Sequence, residues 1–484
     1  MTAKNAADNG KTFLHQAAHV TPSLRQMKWY EREFYAFVHF SPNTYTGLEW
    51  GTGNEDESLF NPTELDCDQW VEAVKAAGMK GLILTAKHHD GFCLWPSEYT
   101  DYSVKNSPFK DGNGDIVKEV AEACRKYSLG FGVYLSPWDR HEKTYGSGAA
   151  YNTYYKNQLR ELLTNYGDIF CVWLDGACGE GPNGKVQKYD WNGYYALVRE
   201  LQPNAVICVS GPDVRWIGNE AGVCRSSEWS VVPAWLSKND YIAEKSQKVD
   251  DEKFRKKHNE MTLDLGSRKA IKGETAFIWY PAEVDVSIRP GWFYHENEDT
   301  KVKSLKKLYD IYIKSVGGNA ALLLNIPPDK RGKIAKTDEL TLDSFGRLLK
   351  RRFPKNLASD AKATSSSEID SEHLAKNIIE DDDSLYWQAA SDDEEPEIVV
   401  DFGKPVNFDK LVLQENIATG QQIESFKIYC EKNGRWKKLC KGTVIGYKKI
   451  CLLRRVKTAR RIKIVITSYR VKATLLKAEA YLSE

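Results

Sequence analysis

The feature that most constrains the fold is an alternation of short apolar runs with amphipathic stretches between about residues 30 and 330. Apolar runs of this kind form strands that are buried on both faces, which is typical of a parallel sheet. We predict eight strands, over residues 34–40, 81–87, 130–136, 169–175, 205–211, 223–230, 275–280 and 320–326. Helices are predicted between them over residues 68–77, 116–127, 154–165, 194–201 and 302–316. Eight strands alternating with helices across about 300 residues favour an α/β fold, a TIM-like (β/α)8 barrel, over an open sheet.

A second pattern begins beyond this region. A charged helix is predicted over residues 337–352, and the small polar stretch 359–367 marks a domain boundary. Short alternating strands follow without a long helix between them, over residues 397–402, 410–414, 425–430, 461–467 and 473–481. They predict an antiparallel all-β sandwich of the jelly-roll type. The chain therefore divides into a barrel domain, 1–353, and a C-terminal sandwich domain, 354–484. The charged stretch 236–272 shows no clear period, so the sixth strand and its helix are the least defined elements.

The composition limits the partners that this chain can have. Its 68 Lys and Arg residues nearly balance 67 Asp and Glu residues, whereas a dedicated nucleic-acid-binding protein carries a basic excess. No run of about 18 apolar residues is present, so we predict no membrane-spanning helix. The 14 tryptophans suit both a large core and a sugar site, where flat rings stack on the C–H faces of a pyranose. Their number leaves both interpretations open.

Cysteine spacing and the N-terminal residues bear on chemistry and compartment. The ten cysteines show neither a Cys-x-x-Cys pair nor the spacing of a metal site, so buried free thiols are predicted. Residues 1–10 are polar and lack the apolar segment of a signal peptide. We predict a secreted or periplasmic protein whose signal peptide has been removed, with a cytoplasmic location as the alternative. No feature of the sequence specifies an oligomeric state.

Polar side chains gather where the predicted barrel strands end. The active site of a (β/α)8 barrel lies at the C-terminal ends of its strands, so those ends carry the candidate residues. They read His39-Phe40-Ser41, Lys87-His88-His89-Asp90, Tyr134-Leu135-Ser136, Trp173-Leu174-Asp175-Gly176 and, after the fifth strand, residues 211–220. Histidines, tryptophans and two separate carboxylates thus converge on one rim, which predicts a functional site there.

Three other kinds of chemistry find little support in the motifs. His88 and His89 are adjacent, so in an extended strand they point in opposite directions, which suits a metal chelate poorly. The sequence also lacks His-Glu-x-x-His, the Gly-x-Ser-x-Gly of serine hydrolases and the Gly-x-Gly-x-x-Gly of dinucleotide sites. We therefore predict no metal and no cofactor, and we interpret the two histidines as donors and acceptors for sugar hydroxyls. A histidine that only satisfies a buried backbone carbonyl is the alternative.

The carboxylates remain, and glycoside hydrolysis requires two of them, one as nucleophile or base and one as acid. Asp175 follows an apolar strand and precedes a glycine, so its carboxylate can face a pocket while the backbone turns. Glu220 lies in a glycine-flanked loop that would let an acid reach a substrate. From the residues alone, a turn-capping role competes for Asp175. The second acid is equally well Glu220, Asp213, Glu228 or Glu283.

Several motifs resemble the α-L-fucosidases of glycoside hydrolase family 29. The similarity covers about residues 20–330 and is carried by His39-Phe40-Ser41, Glu49-Trp50-Gly51, Ala86-Lys87-His88-His89-Asp90-Gly91-Phe92, Gly132-Val133-Tyr134 and Trp173-Leu174-Asp175-Gly176. The resemblance implies a retaining (β/α)8 hydrolase that needs no metal. It also implies that Asp175 is the nucleophile and that the fucose-binding residues are His39, Glu49, Trp50, His88, His89, Tyr134 and, at the methyl group of the sugar, Trp292.

The segment 211–229 is similar to the family members that are selective for α-1,3- and α-1,4-linked fucose on branched, Lewis-type glycans. In that subgroup the pattern places the acid/base on Glu220. The resemblance thus implies exo-cleavage of a fucosylated oligosaccharide or glycoconjugate through a covalent fucosyl-enzyme, with carboxyl groups about 5–5.5 Å apart in a closed state. The alternatives are a broad-specificity α-L-fucosidase, a glycosidase of this fold for another sugar, a metal-dependent barrel hydrolase, and a carbohydrate-binding protein on a glycosidase scaffold.

The C-terminal part resembles the galactose-binding-like sandwich, also called the discoidin or family 32 carbohydrate-binding domain. Residues 384–390 and 398–406 carry this similarity and belong mostly to the scaffold of such domains. Ligand contacts lie on variable loops, so sugar binding and support of the barrel both stay open as its role. The acidic run 380–383 and the basic residues between 437 and 463 are interpreted as solvated faces.

The positions of the tryptophans sharpen what their number left open. Six of them lie at or near predicted strand ends, on the side where the acids and histidines gather: Trp50, Trp138, Trp173, Trp216, Trp229 and Trp292. This placement favours a sugar pocket over a plain core.

Overall fold

The computed structural model describes residues 13–239, 241 and 264–484. Among these described residues, the N-terminal part contains ten strands: β1 (Phe34–Val38), β2 (Gly81–Lys87), β3 (Gly130–Leu135), β4 (Cys171–Leu174), β5 (Val206–Val209), β6 (Arg215–Trp216), β7 (Val231–Pro233), β8 (Phe277–Trp279), β9 (Ala282–Ser287) and β10 (Ala320–Asn325). Eight of them form one parallel sheet in the order β5-β4-β3-β2-β1-β10-β9-β6. A parallel bridge between Cys208 and Val214 links β5 to the residue before β6. The sheet is therefore a nearly closed barrel, and the predicted TIM-like α/β fold is confirmed.

The sixth and seventh barrel strands differ from the prediction. The stretch 223–230 forms no strand, and the predicted strand at 275–280 is β8, which pairs antiparallel with β7 outside the barrel. β6 and β9 occupy those two places in the barrel instead. β6 has only two residues, and β9 carries Glu283 and Asp285, so neither shows the apolar run that identifies a buried strand. Part of the charged stretch 236–272 lies outside the described residues.

Helices accompany the barrel strands. They span Leu24–Tyr30, Asn43–Thr46, Cys67–Ala76, Ile116–Lys126, Ala149–Asn165, Trp191–Leu201, Leu305–Ser315 and Lys336–Arg352. The five helices predicted between strands are present, as is the charged helix after the last strand. Three of them begin at an aspartate, Asp66, Asp115 or Asp190, whose carboxylate accepts a backbone N–H from the residue three positions later. Such N-caps satisfy donors that the first helical turn leaves unpaired.

Alternate residues of the barrel strands enter two separate hydrophobic cores. On β2, Leu82 packs with Trp70 and Val117 of the surrounding helices, whereas Ile83 joins Phe37 inside the barrel. Every residue of β2 is buried, and the strand is hydrogen-bonded in parallel register to β1 and β3. Burial on both faces is the reason for the nearly unbroken apolar runs in the sequence.

The C-terminal part is an all-β antiparallel domain, as predicted. Its strands are β11 (Lys362–Ser365), β12 (Trp387–Gln388), β13 (Glu397–Gln414), β14 (Ile423–Lys432), β15 (Arg435–Gly442), β16 (Lys449–Tyr469), β17 (Thr474–Leu475) and β18 (Lys477–Tyr481). A six-stranded sheet runs in the order β11-β13-β16-β14-β15, with β18 also on β13, and β12 pairs with β17. Trp387 and Leu475 of the small sheet share one core with Ile398, Phe426 and Ile464 of the large sheet.

Two of the differences between this domain and the prediction have a clear physical reason. The polar stretch 359–367, interpreted as a boundary, contains β11, whose residues alternate between exposed and half-buried positions along the sheet edge. β15 was not predicted, because four of its eight residues are Lys or Arg and hide the strand pattern. Edge strands tolerate such sequences because one of their sides has no pairing partner.

The C-terminal domain packs directly on the barrel domain. The guanidinium of Arg470 lies 4.2 Å from the ring centroid of Trp229, and the rings of Tyr30 and Tyr447 stack at 4.8 Å. Trp229, predicted at the functional rim, is thus part of this interface. Among the described residues, no helix is long and apolar enough to cross a membrane.

Candidate active site

A pocket opens at the C-terminal ends of the barrel strands. All nine residues that the sequence singled out line it: His39, Glu49, Trp50, His88, His89, Tyr134, Asp175, Glu220 and Trp292. They share the wall with Phe37, Trp173, Gly176, Ala177, Val209, Trp216 and Asp285. The side chains meet because the strands run parallel, so the residues that end them gather at one edge of the barrel.

The Asp175 carboxylate is anchored on one side and open on the other. Its Oδ1 accepts the backbone N–H of Ala177 at 2.7 Å, and its Oδ2 accepts the phenol of Tyr134 at 3.0 Å. The Nε2 of His89 lies 3.8 Å from the same Oδ2, and 24% of the Asp175 side chain is exposed. These contacts orient the carboxylate toward the pocket.

His89 presents a lone pair to the pocket. Its Nδ1 lies 2.7 Å from the Ser136 hydroxyl oxygen, and Ser136 donates its own proton to the Trp138 carbonyl at 2.6 Å. Nδ1 of His89 must therefore carry the hydrogen, which leaves Nε2 as an acceptor. Burial lowers the pKa of His89 and keeps the ring neutral, although the nearby Asp175 charge opposes that shift.

His39 is held in the same tautomer by a different partner. Its Nδ1 lies 2.8 Å from the side-chain oxygen of Asn325. The amide nitrogen of Asn325 donates to Ser287 and to the Trp292 carbonyl, which fixes the orientation of the amide. Burial lowers the pKa of His39 to about 4. Its Nε2 is consequently a second neutral acceptor in the pocket.

His88 and His89 do not point in opposite directions, and that expectation was wrong. β2 ends at Lys87, so neither histidine is part of the extended strand, and Gly91 turns the chain with a φ of 88°. Both rings line the pocket, with centroids 4.2 Å apart. His88 stacks on Tyr134 at 5.7 Å, and its Nδ1 is buried without a hydrogen-bond partner among the described residues.

No metal centre is assembled by the described residues, since no group of three or more His, Cys, Asp or Glu side chains is arranged to hold an ion. The ten cysteines are all free thiols, six of them buried and four half-buried.

The other charged members of the Lys-His-His-Asp motif build the frame around the pocket. Lys87 is fully buried and donates to Asp139 at 2.8 Å and to Gln158 at 2.9 Å. Asp90 accepts the Ser41 hydroxyl at 2.7 Å and a backbone N–H at 2.8 Å, and burial raises its pKa to about 7. The motif therefore supplies both pocket residues and the supports that hold them.

Glu49 is held by a histidine that sequence reasoning missed. Its two oxygens accept the Nε2–H of His295 at 2.7 Å and the backbone N–H of Trp292 at 2.8 Å. Burial, the largest single influence, favours the neutral acid, but these two hydrogen bonds and the charge of His295 together outweigh it and lower the pKa of Glu49. The bond to Glu49 is also the main cause of the raised pKa of His295. His295 lies three residues after Trp292 and was hidden because nothing in its neighbourhood marks a strand end.

A second acid, Asp285, lies in the same pocket as Glu220. Asp285 is buried in β9 and accepts the indole N–H of Trp216 at 2.7 Å, whereas Glu220 is half-buried after β6. Burial raises the pKa of Asp285 well above its ordinary value, and the negative charge of Glu220 adds to that effect. The alternation of Glu283 and Asp285 with small apolar residues was the signal that could have revealed this strand.

The structure distinguishes the four carboxylates that were candidates for the second catalytic acid, all of which lie in the described part of the chain. Asp213 is paired with Arg199 at 2.5 Å, and Glu228 is buried between Arg215 and Arg225. Glu283 accepts hydrogen bonds from the Tyr35 hydroxyl and from the indole N–H of Trp173. Glu220 is the member of this set that lines the pocket.

Four of the six tryptophans at predicted strand ends line the pocket: Trp50, Trp173, Trp216 and Trp292. Trp138 stands one layer back, with its ring 5.5 Å from Trp50 and 4.9 Å from His89, and it donates to the Glu180 carbonyl. The aromatic excess in the composition is therefore divided between the site and the core behind it.

Comparison with known proteins gives a consistent result. The α-L-fucosidase family model matches residues 11–352, and the F5/8 type C domain model matches residues 362–479. Alpha-L-fucosidase 1 of Arabidopsis thaliana is 42% identical over 456 residues, which cover 93% of this chain and 85% of that protein. A GH29 fucosidase of Ruminococcus gnavus, solved in complex with fucose, is 34% identical with a TM-score of 0.82, covering 96% of this chain and 95% of its own. A glycoside hydrolase 29 family member from an unknown rumen bacterium is 39% identical with a TM-score of 0.77, covering 96% and 78%.

The barrel and its pocket of acids, histidines and tryptophans thus define a glycoside hydrolase. More narrowly, this chain belongs to the α-L-fucosidase family, glycoside hydrolase family 29, and carries a C-terminal F5/8 type C (discoidin) domain. It acts on fucosylated glycans.

Proposed function

We propose that this enzyme is a retaining exo-α-L-fucosidase in which Asp175 is the nucleophile and Glu220 the acid/base. The observation that carries the proposal is the anchored Asp175 carboxylate, oriented by Ala177 and Tyr134 in a pocket that Glu220 also lines. Asp175 attacks the anomeric carbon while Glu220 gives its proton to the departing glycosidic oxygen. Glu220 then removes a proton from water, which cleaves the fucosyl ester and releases Asp175.

Neutral acceptors and one anion would bind the sugar hydroxyls. The Nε2 atoms of His39 and His89 carry lone pairs in the pocket, and Glu49 is ionised beside His295. Each accepts a hydroxyl proton and so favours one orientation of the sugar. The Trp292 ring lies 5.1 Å from that of His39 and provides an apolar surface for the C6 methyl group that distinguishes fucose from galactose.

We further propose selectivity for α-1,3- and α-1,4-linked fucose on branched, Lewis-type glycans. The support for this narrower activity is the resemblance of residues 211–229 to that subgroup. In this segment the loop around Glu220 is braced locally, since Asn219 donates to the Val223 carbonyl at 3.2 Å and accepts from Ala221 N–H at 2.9 Å. A broad-specificity α-L-fucosidase is the competing function.

Two variants test the roles of the acids on an aryl fucoside. Asp175→Ala should abolish turnover, and azide should rescue it with formation of the fucosyl azide of inverted configuration. Glu220→Ala should slow natural glycans far more than an aryl fucoside, since a good leaving group needs no proton in the first step. Glu180→Ala removes an exposed acid outside the pocket lining and serves as the control. Near-normal turnover by either pocket variant would remove that residue from the mechanism.

A panel of fucosylated oligosaccharides tests which fucosyl linkage the enzyme hydrolyses. Release of fucose from Lewis-type trisaccharides, with α-1,2-linked fucosyl-lactose left intact, is the expected result. Equal release of fucose from both kinds of substrate would instead identify a broad-specificity α-L-fucosidase. Binding of all of them without release of fucose would identify a carbohydrate-binding protein, and loss of activity in a chelator would identify a metal-dependent hydrolase.

A further inference from the structure

One face of the C-terminal sheet concentrates positive charge to a degree that the rest of the chain does not share. Between Lys427 and Lys463 the sequence contains 14 Lys and Arg residues and a single acid, Glu431, although the net charge of the whole chain is only +1. All of these cations except Lys448 lie on β14, β15 and β16, which are neighbours in the six-stranded sheet. The excess of positive charge in this part of the sequence is therefore also an excess of positive charge on one part of the sheet.

The register shows which side chains share this face. Lys427 and Tyr429 on β14 stand opposite Lys441 and Lys438 on β15, and Tyr429 also pairs with Lys463 on β16. The residues between them on β14, such as Ile428, are buried in the domain core. Side chains two positions apart on a strand point the same way, so Lys427 and Tyr429 lie on the outer surface. A bulge in β15 between Cys440 and Lys438 keeps Lys441 and Lys438 opposite them, and both lysines are exposed. We call this surface, completed by Trp436 and Arg461, the basic face.

Few of the cations in this region have a carboxylate partner. Arg461 pairs with Glu431 at 2.5 Å, and Lys463 pairs with Glu397 at 2.9 Å. Within the described residues, no carboxylate lies within 4.0 Å of ten of the cations: Lys427, Lys432, Arg435, Lys437, Lys438, Lys441, Lys449, Arg454, Arg455 and Lys457. Three of the ten, Lys427, Lys438 and Lys441, belong to the basic face, where an anion would relieve their mutual repulsion.

An aromatic platform lies among these charges. Trp436 is 36% exposed, and the Nζ of Lys463 and the guanidinium of Arg461 lie 5.2 and 5.9 Å from its ring centroid. The Lys463 Nζ also lies 5.8 Å from the ring of Tyr429. A flat ring flanked by cations suits a sugar unit that carries a negative group, because the ring stacks on the C–H face while the cation meets the anion.

We propose that the basic face binds an anionic polysaccharide, a polymer of uronate or sulfate-bearing sugars. The choice of a glycan rests on the proposed function, since a fucosidase whose fucosyl glycan is attached to such a polymer gains local substrate concentration by holding it. Edge-strand protection explains a few lysines on β15. It does not account for the cations on β14 and β16, which are interior strands of the sheet.

The test measures binding of the full chain to polygalacturonate by calorimetry, with dextran as the neutral polymer. The parent chain should bind polygalacturonate and not dextran, and binding should weaken about tenfold or more between about 0.05 M and about 0.5 M salt. Lys438→Glu with Lys441→Glu should weaken it at least about tenfold. Lys330→Glu with Lys350→Glu makes the same charge change on exposed barrel-domain lysines and should alter binding less than about twofold.

Trp436→Ala separates a glycan site from a general attraction for polyanions. It should weaken polygalacturonate binding several-fold while the salt dependence is retained. Equal binding by parent and double variant, or tighter binding of single-stranded DNA or phosphatidylserine vesicles than of polygalacturonate, would overturn the proposal. Hydrolysis of an aryl fucoside should be unchanged in all these variants. Failure of the parent itself to hydrolyse it would count against the proposed function and not against the binding result.

Discussion

The hydrogen bond from Tyr134 to Asp175 makes a prediction that distinguishes the two steps of the reaction. The Tyr134 side chain is 1% exposed, and burial, reinforced by the Asp175 charge, raises its pKa well above the ordinary value. The phenol therefore stays protonated and donates to Asp175 Oδ2 at 3.0 Å. In Tyr134→Phe this bond is lost and the rest of the ring is retained.

The magnitude follows from the charge on Asp175 along the reaction. A hydrogen bond to a charged group contributes about 1.5–3 kcal/mol, which corresponds to about 10- to 150-fold in rate. During the first step the carboxylate loses its charge, so the bond weakens toward the transition state and its removal does not slow that step. During the second step the charge returns to Asp175 as leaving group, so the bond strengthens and its loss slows hydrolysis of the fucosyl-enzyme. We expect kcat to fall about 10- to 100-fold.

Kinetics on an aryl fucoside check this reasoning. KM should fall together with kcat, kcat/KM should stay within about threefold, and a burst of the aryl alcohol equal to one enzyme equivalent should appear before the slow phase. Tyr155→Phe is the matched control, since Tyr155 is equally buried and its hydroxyl bonds the Leu135 carbonyl instead. Equal losses in kcat and kcat/KM without a burst would refute the assignment of Tyr134 to the second step.

Three further predictions concern the supports of the pocket. In Lys87→Met, the free energy of unfolding should drop by about 3–5 kcal/mol, because the fully buried Asp139 carboxylate loses its ion-pair partner. A loss below about 1 kcal/mol in chemical denaturation would contradict this. Asp285 has a raised pKa, so the folded state holds a proton that the unfolded state releases, and stability should decline as pH rises above about 4. Asp285→Asn should remove that decline. The Tm of the variant minus the Tm of the parent should therefore increase steadily from about pH 4 to about pH 7, whereas a constant difference would count against a buried neutral Asp285. In His295→Ala, burial of Glu49 is no longer offset by the bond from His295, so the pKa of Glu49 rises and the acid limb of kcat/KM should move to higher pH. An unchanged acid limb on the aryl fucoside would show that Glu49 does not titrate in binding.

The barrel strands differ in how clearly the sequence marks them, and burial is the reason. β2 is buried along its whole length between two hydrophobic layers, so its side chains are almost all apolar and its run is visible without any structure. β9 faces the polar pocket with Asp285 and places Glu283 inside the barrel against the indole N–H of Trp173. A strand that pairs its buried acids with such donors lacks the continuous apolar run, and the alternation of its acids with small apolar residues is the only signal that its sequence keeps.

The residues of the site likewise differ in how clearly the sequence identifies them. The positions of His39, Tyr134 and Asp175 follow from local sequence, because each stands at or just beyond the end of an apolar strand. The partnership of Glu49 with His295, 246 residues further along the chain, is a tertiary contact that local pattern does not encode. The same holds for Glu220, which competed with three other acids in the sequence and is the one of the four that the fold places in the pocket lining.

The sequence by itself therefore determined the fold class, the rim that carries the chemistry and the residue types that stand there, because all three follow from strand burial and strand polarity. Only the tertiary structure decided which of these residues interact with one another. It brought His88 and His89 to one pocket beyond the end of β2, supplied His295 to Glu49, and placed Asp285 with Glu220. Hydrogen bonds and charge interactions act over a few ångströms, and only the folded barrel sets those distances between residues far apart in the chain.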